Sequence, residues 1–102
     1  MMQCNNIDEV RENIDRIDKE MIQLIAERGR YVKQAAAFKR NKHQVKAEKR
    51  MESVIEKAKV SAQHFGADEH LVAEIYTTMI TGFVRLEMNE FQGQQKLGRK
   101  EI

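Results

Sequence analysis

The sequence predicts an all-α protein with three helices per chain, one long and two shorter, joined as an intertwined helical homodimer. Three observations carry this reading. Apolar residues recur at three- and four-residue steps over most of the 102 residues, which is the period of helices burying one stripe each. Charged residues make up 33% and hydrophobic ones 41%, with no Pro and no Trp, the profile of a soluble helical chain in which strands are not expected. The first periodic stretch is also too long for a single chain of this size to cover.

The first helix is predicted over residues 7–40. Its stripe is Ile7, Val10, Ile14, Ile17, Met21, Leu24, Ile25, Val32 and Ala35. Asn6 followed three residues later by Glu9 has the form of an N-cap with a variant capping box, and Asp8 and Glu9 suit the positive end of the helix dipole. Gly29 disfavours helix by about 1 kcal/mol relative to Ala, too little to end so long a pattern. Over residues 41–46 the periodicity lapses into Asn-Lys-His-Gln-Val-Lys, a polar connection of a length common between antiparallel helices.

A second helix is predicted from residue 47 to 64 or 65. Met51, Val54, Ile55, Ala58 and Ala62 lie on one side of it, and Gly66 suits the left-handed position just past its end. Asp68 is a good N-cap for the third helix. Leu71, Val72, Ile75, Tyr76, Met79, Ile80, Phe83, Val84, Leu86 and Met88 give that helix a broad apolar surface. Residues 93–102 contain two glycines and little apolar content, so the helical domain is expected over 1–92 and a frayed tail after it.

A helix over 7–40 is roughly 50 Å long, whereas a compact domain of this size has a radius of gyration of about 13 Å. Two chains whose first helices pack along one another, closed over at the ends by the shorter helices, resolve the mismatch.

Charge and cysteine usage narrow the partners. The 18 basic and 16 acidic residues are interspersed and leave a net charge of +2, so no broad basic face is available for nucleic acid. No run of 18 apolar residues and no leader-like start occur, so no membrane association and a cytoplasmic location are expected. Cys4 cannot form an internal disulfide, and His43, His64 and His70 lack ligand spacing, so neither a metal nor another cofactor is expected.

What the chain does have is cations in costly places. Arg28 falls inside the apolar stripe of the first helix, and a desolvated cation must be paired, hydrated or met by an anionic ligand. Lys39 follows 11 residues later, which on a continuous helix puts it within about 20° of the same azimuth and about 16 Å further along. Taken singly, Arg28 reads as a snorkelling side chain and Lys39 as a lysine favoured by the helix dipole. In register, they could hold the two ends of one small anion. Arg11 lies about 25 Å before Arg28 along the helix and could join that ligand only from another chain.

The run Val10-Arg11-Glu12-Asn13-Ile14-Asp15-Arg16-Ile17-Asp18, then Leu24-Ile25-Ala26-Glu27-Arg28, then Lys39, resembles the all-helical type II chorismate mutases. Arg50, Gly66-Ala67-Asp68 and Phe83-Val84-Arg85-Leu86-Glu87 extend the resemblance over nearly the whole chain. It implies an intertwined dimer with two sites for a dicarboxylate such as chorismate. Arg28 of one chain and Arg11 of the other would meet the carboxylates, while Lys39 and Glu87 would meet the ether oxygen of the enolpyruvyl group. Lys39, Glu87 and Arg28 are thereby the expected catalytic residues, and Glu87 must be protonated to donate a hydrogen bond there.

Such chemistry needs no nucleophile and no metal. A pericyclic rearrangement asks the protein to hold a compact conformer and to stabilise charge on a breaking C–O bond. Arginine suits carboxylates through its planar fork, and lysine suits one oxygen as a point charge.

Three positions depart from the mutase pattern. Mutases commonly carry a Glu just after the arginine matched by Arg50 and often an Asp four residues before that Glu, both helping to bind the ring hydroxyl. Here those places hold Met51 and Ala47, and Phe83 stands where several mutases have a small hydroxyl residue. Apolar residues at the Ala47 and Met51 places resemble the related isochorismate pyruvate lyases, which release pyruvate and leave salicylate. The sequence reading keeps chorismate mutase first and the lyase second. A non-catalytic helical dimerisation or aromatic-acid-binding module is the third alternative.

Overall fold

The computed structural model describes residues 3–101, with side chains through Gln95. Four helices account for all regular structure among the described residues: α1 (Ile7–Ala36), α2 (Lys42–Lys46), α3 (Glu48–Phe65) and α4 (Glu69–Glu101). The all-α class is as the periodicity predicts, while the helix lengths are not. The last helix, at 33 residues, is longer than the first, at 30, and the polar connection contains a short helix of its own.

The chain divides after Tyr31 into two units. The first contains the N-terminal part of α1, whose start is chemically marked. The Asn6 side chain accepts a hydrogen bond from the Glu9 N–H at 2.9 Å, and the Glu9 carboxylate accepts one from the Asn5 N–H at 2.8 Å. This is a capping box shifted by one residue, with the Glu reaching past the cap.

In the second unit α1 stops at Ala36, before Lys39. The N–H groups of Ala37, Phe38 and Lys39 donate to carbonyls three residues back rather than four, a tightening that closes a helix end. Lys39 therefore follows the helix rather than riding on it, and the azimuth argument over a continuous 7–40 helix does not apply. Asn41 then caps α2 by accepting from the Gln44 N–H at 3.0 Å.

Ala47 breaks α2 from α3. At the far end of α3, Gly66 is left-handed at φ 74°, and the Ala67 N–H reaches the Ala62 carbonyl at 2.8 Å, a Schellman-type stop. Asp68 caps α4 by accepting from the Leu71 N–H at 2.9 Å.

Both α2 and α3 pack on α4. Ala36, Val45 and Phe91 form a buried cluster against which Val84 and Met88 pack. Ala58 and Ala62 of α3 are buried, as are Ile80 and Phe83 of α4. α4 remains helical through Gly93 into the span expected as a tail, since glycine costs a helix only about 1 kcal/mol. Ile102, the end of that span, lies outside the described residues.

Candidate active site

The second unit brings Lys39 and Glu87 together from positions 48 residues apart in the sequence (87 − 39). Glu87 lies on α4, one helical turn beyond the buried Phe83, and is itself only 8% exposed. Burial of Phe83 is what draws this face of α4 inward, because residues four apart share a side of the helix. The carboxyl of Glu87 is carried inward with it.

The Lys39 ammonium stands 3.8 Å from Glu87 Oε1. That is within reach of charge attraction but beyond a hydrogen bond. Glu87 Oε1 is buried and has no hydrogen-bond partner among the described residues. Burial pushes the Glu87 carboxyl above the usual carboxylate range, and the neighbouring Lys39 pulls it back only in part. A buried carboxyl inclined to keep its proton, with an unsatisfied oxygen beside a cation, can donate to one atom of a ligand while the cation attracts the same atom.

Lys39 has a second partner. Its Nζ donates to the Gln44 carbonyl at 3.1 Å, and the Gln44 side chain accepts from the Arg40 N–H. Neither Gln44 nor Asn41 is among the site residues to which the sequence points. The pattern Asn41-Lys42-His43-Gln44 did carry a signal, since Asn followed three residues later by Gln is the form of a capping box. Five helical residues are too few for periodicity to expose the helix it opens.

The remaining expected site residues are distributed as follows. Ala47 is half-buried at the break before α3, Met51 is half-buried in its first turn, and Arg50 beside it is exposed. In the first unit, α1 carries Arg11, exposed, and Arg28, half-buried. Among the described residues no group of three or more His, Cys, Asp or Glu could hold a metal ion, and no helix is long and apolar enough to cross a membrane.

An ammonium beside a buried carboxyl that burial pushes above its usual range is an arrangement that can meet one oxygen of an anionic small molecule. The family model for type II chorismate mutase matches residues 10–88, and the chain belongs to that family. The isochorismate pyruvate lyase of Pseudomonas aeruginosa is 28% identical over 81 residues, which cover 79% of this chain and 80% of that protein.

Proposed function

We propose that the protein is an isochorismate pyruvate lyase, converting isochorismate to salicylate and pyruvate. The observation that carries this choice within the family is the pair Ala47 and Met51. Both are half-buried where α3 begins, and both are apolar where the mutases they resemble carry carboxylates for the ring hydroxyl. An uncharged wall cannot accept that hydroxyl's hydrogen bond, and a site built for such a bond discriminates far more strongly than an apolar one. The similarity to a lyase supports the same choice.

In the proposed reaction the ether C–O bond of isochorismate breaks and one ring hydrogen moves to the enolpyruvyl methylene carbon. The ring aromatises to salicylate, the released fragment becomes pyruvate, and all atoms are accounted for within the substrate. Lys39 and protonated Glu87 would stabilise the negative charge that grows on the ether oxygen. Arg28, with Arg11 of the partner subunit, would hold the two carboxylates and so fix the compact conformer. Arg50, exposed at the start of α3, would add a further cation at the edge of the site.

The homodimer belongs to this reading. The α1 stripe leaves Ile14 50%, Ile17 44%, Met21 46% and Ile25 43% exposed in one chain, at the 3-4 spacing that helices use to pack on one another. A second copy would cover it and bring Arg11 to a site it cannot reach within its own helix.

The second reading is chorismate mutase, which uses the same cations and is favoured by the family match. The test is to supply purified protein with each compound separately and identify the products. Salicylate and pyruvate from isochorismate are expected, with kcat/KM above that for chorismate. Prephenate from chorismate, with no pyruvate from isochorismate, would overturn the lyase in favour of the mutase.

A further inference from the structure

The Lys39 side chain has a flexible four-carbon stem, yet its ammonium is held between two fixed groups. One is Glu87 on α4. The other is the Gln44 carbonyl, which is available because α2 is short. A helix leaves its last carbonyls without intrahelical partners, and a lysine nearby satisfies one and suits the negative end of the dipole. α2 ends at Lys46 and the chain breaks at Ala47, so the Gln44 carbonyl is one of these, and it receives Lys39 Nζ at 3.1 Å.

The same residue grips the chain a second time. Past the end of α1 the Arg40 N–H continues no helical ladder, and the Gln44 side-chain oxygen accepts it. The Gln44 N–H is in turn taken by Asn41 at 3.0 Å. Residues 39 to 44 are thus closed into a ring by one bond to the Lys39 side chain and one to the next residue's backbone. Val45, adjacent to Gln44, is buried with Ala36 and Phe91, so the ring is pinned to α4 and hence to Glu87.

We propose that Gln44 is the positioning residue for Lys39, setting the ammonium beside Glu87 from its own carbonyl while its side chain fixes the backbone from which Lys39 extends. The proposal rests on the reading of Lys39 as the cation at the ether oxygen. It adds that the location of this cation is built by α2 rather than by the long helix. Misplacing a transition-state contact lowers kcat more than it raises KM, because the contact is made after the substrate is bound.

Gln44→Met keeps the length and helix preference of the side chain but removes the acceptor, whereas Gln44→Glu keeps an acceptor. The first readout is the rate at which an amine-acylating reagent labels Lys39 in the substrate-free protein, followed by peptide mass spectrometry. Gln44→Met leaves the carbonyl that receives Lys39 in place and removes the side-chain anchor of the Arg40 N–H, so the loosened backbone should let Lys39 be labelled about fivefold faster, the scale of that one lost anchor. The second readout is turnover, where Gln44→Met should lower kcat by about tenfold with KM changed by less than about twofold. Gln44→Glu should bring both back toward wild type, and Asn41→Ala should move both as Gln44→Met does. Unchanged Lys39 labelling in a Gln44→Met protein of normal helicity overturns the proposal, and so does faster labelling with unaltered kcat. Wild-type protein that converts neither isochorismate nor chorismate overturns the functional reading instead, while the labelling rates still decide whether Gln44 holds Lys39.

Discussion

At the scale of single residues, the Glu87 carboxyl and the Lys39 ammonium work against each other, since burial favours the neutral acid and the cation favours the anion. Burial prevails, and the carboxyl stays above its ordinary range. If protonated Glu87 donates to the ether oxygen, kcat should fall as pH rises through this raised value. Glu87→Gln, which donates at any pH, should flatten that limb of the profile; a profile unchanged by the substitution would remove Glu87 from this role. Removing the opposing charge by Lys39→Met should drive the Glu87 titration further upward, a shift that carboxyl-carbon NMR can follow directly. The same displacement bears on folding. The native state holds the Glu87 proton more tightly than the unfolded chain, so Glu87 has no net effect on stability below the unfolded value and becomes destabilising as pH rises from there through the folded value. Glu87→Gln should abolish that increment in denaturation experiments across this window. The Lys39–Glu87 pair is legible in the sequence through the family resemblance, whereas Gln44 shows there only through its capping-box spacing to Asn41: its contact with the Lys39 ammonium is made by a backbone carbonyl, which leaves no residue signature.

At the scale of elements, end signals were legible where a named side chain or glycine makes the stop. Asn6, Gly66 and Asp68 perform the local tasks their positions predict. The end of α1 was not legible, because it is made by backbone bonds to carbonyls three residues back within an Ala-Ala-Phe-Lys stretch that favours helix as readily as it ends one. α4 departs in the opposite direction and runs on past its expected end, because glycines weaken a helix without stopping it. This contrast yields a paired prediction. Beyond its own helix backbone and chain neighbours, a Cβ added at Gly66 or at Gly93 meets no atom of the described residues within 4 Å, so backbone conformation separates the two sites. Gly66→Ala should lower stability by about 1 kcal/mol, because φ 74° is a conformation that alanine adopts only with strain. Gly93→Ala, within α4, should raise stability by about 0.5–1 kcal/mol. Urea midpoints at one fixed protein concentration check both, and equal shifts at the two positions would contradict the assignment of Gly66 as the left-handed stop.

At the scale of the whole molecule, one chain leaves the apolar stripe of α1 in water. Ile14, Ile17, Met21 and Ile25 recur at helix-packing intervals while remaining substantially exposed, the pattern by which helices pack on one another rather than that of scattered surface hydrophobes. If a second copy covers it, sedimentation should report about twice the 11.9 kDa chain mass. Ile17→Glu, a charge placed in the row, should shift the protein toward monomer and reduce turnover with it. A sharper outcome follows from sharing of the site. In a two-fold dimer each site would take Arg28 from one chain and Arg11 from the other, so Arg11→Ala and Arg28→Ala should each silence both sites of its own homodimer. When the two inactive variants are unfolded together and refolded at equal amounts, half the dimers should contain one chain of each. Every such mixed dimer has one site with both arginines intact and one with neither, so about a quarter of the wild-type site concentration should return. Recovery near that fraction requires that the arginines of one site come from different chains. No recovery, with mixed dimers demonstrated by mass, would place both arginines of a site on the same chain and remove the reason for the dimer to be shared at its active centre.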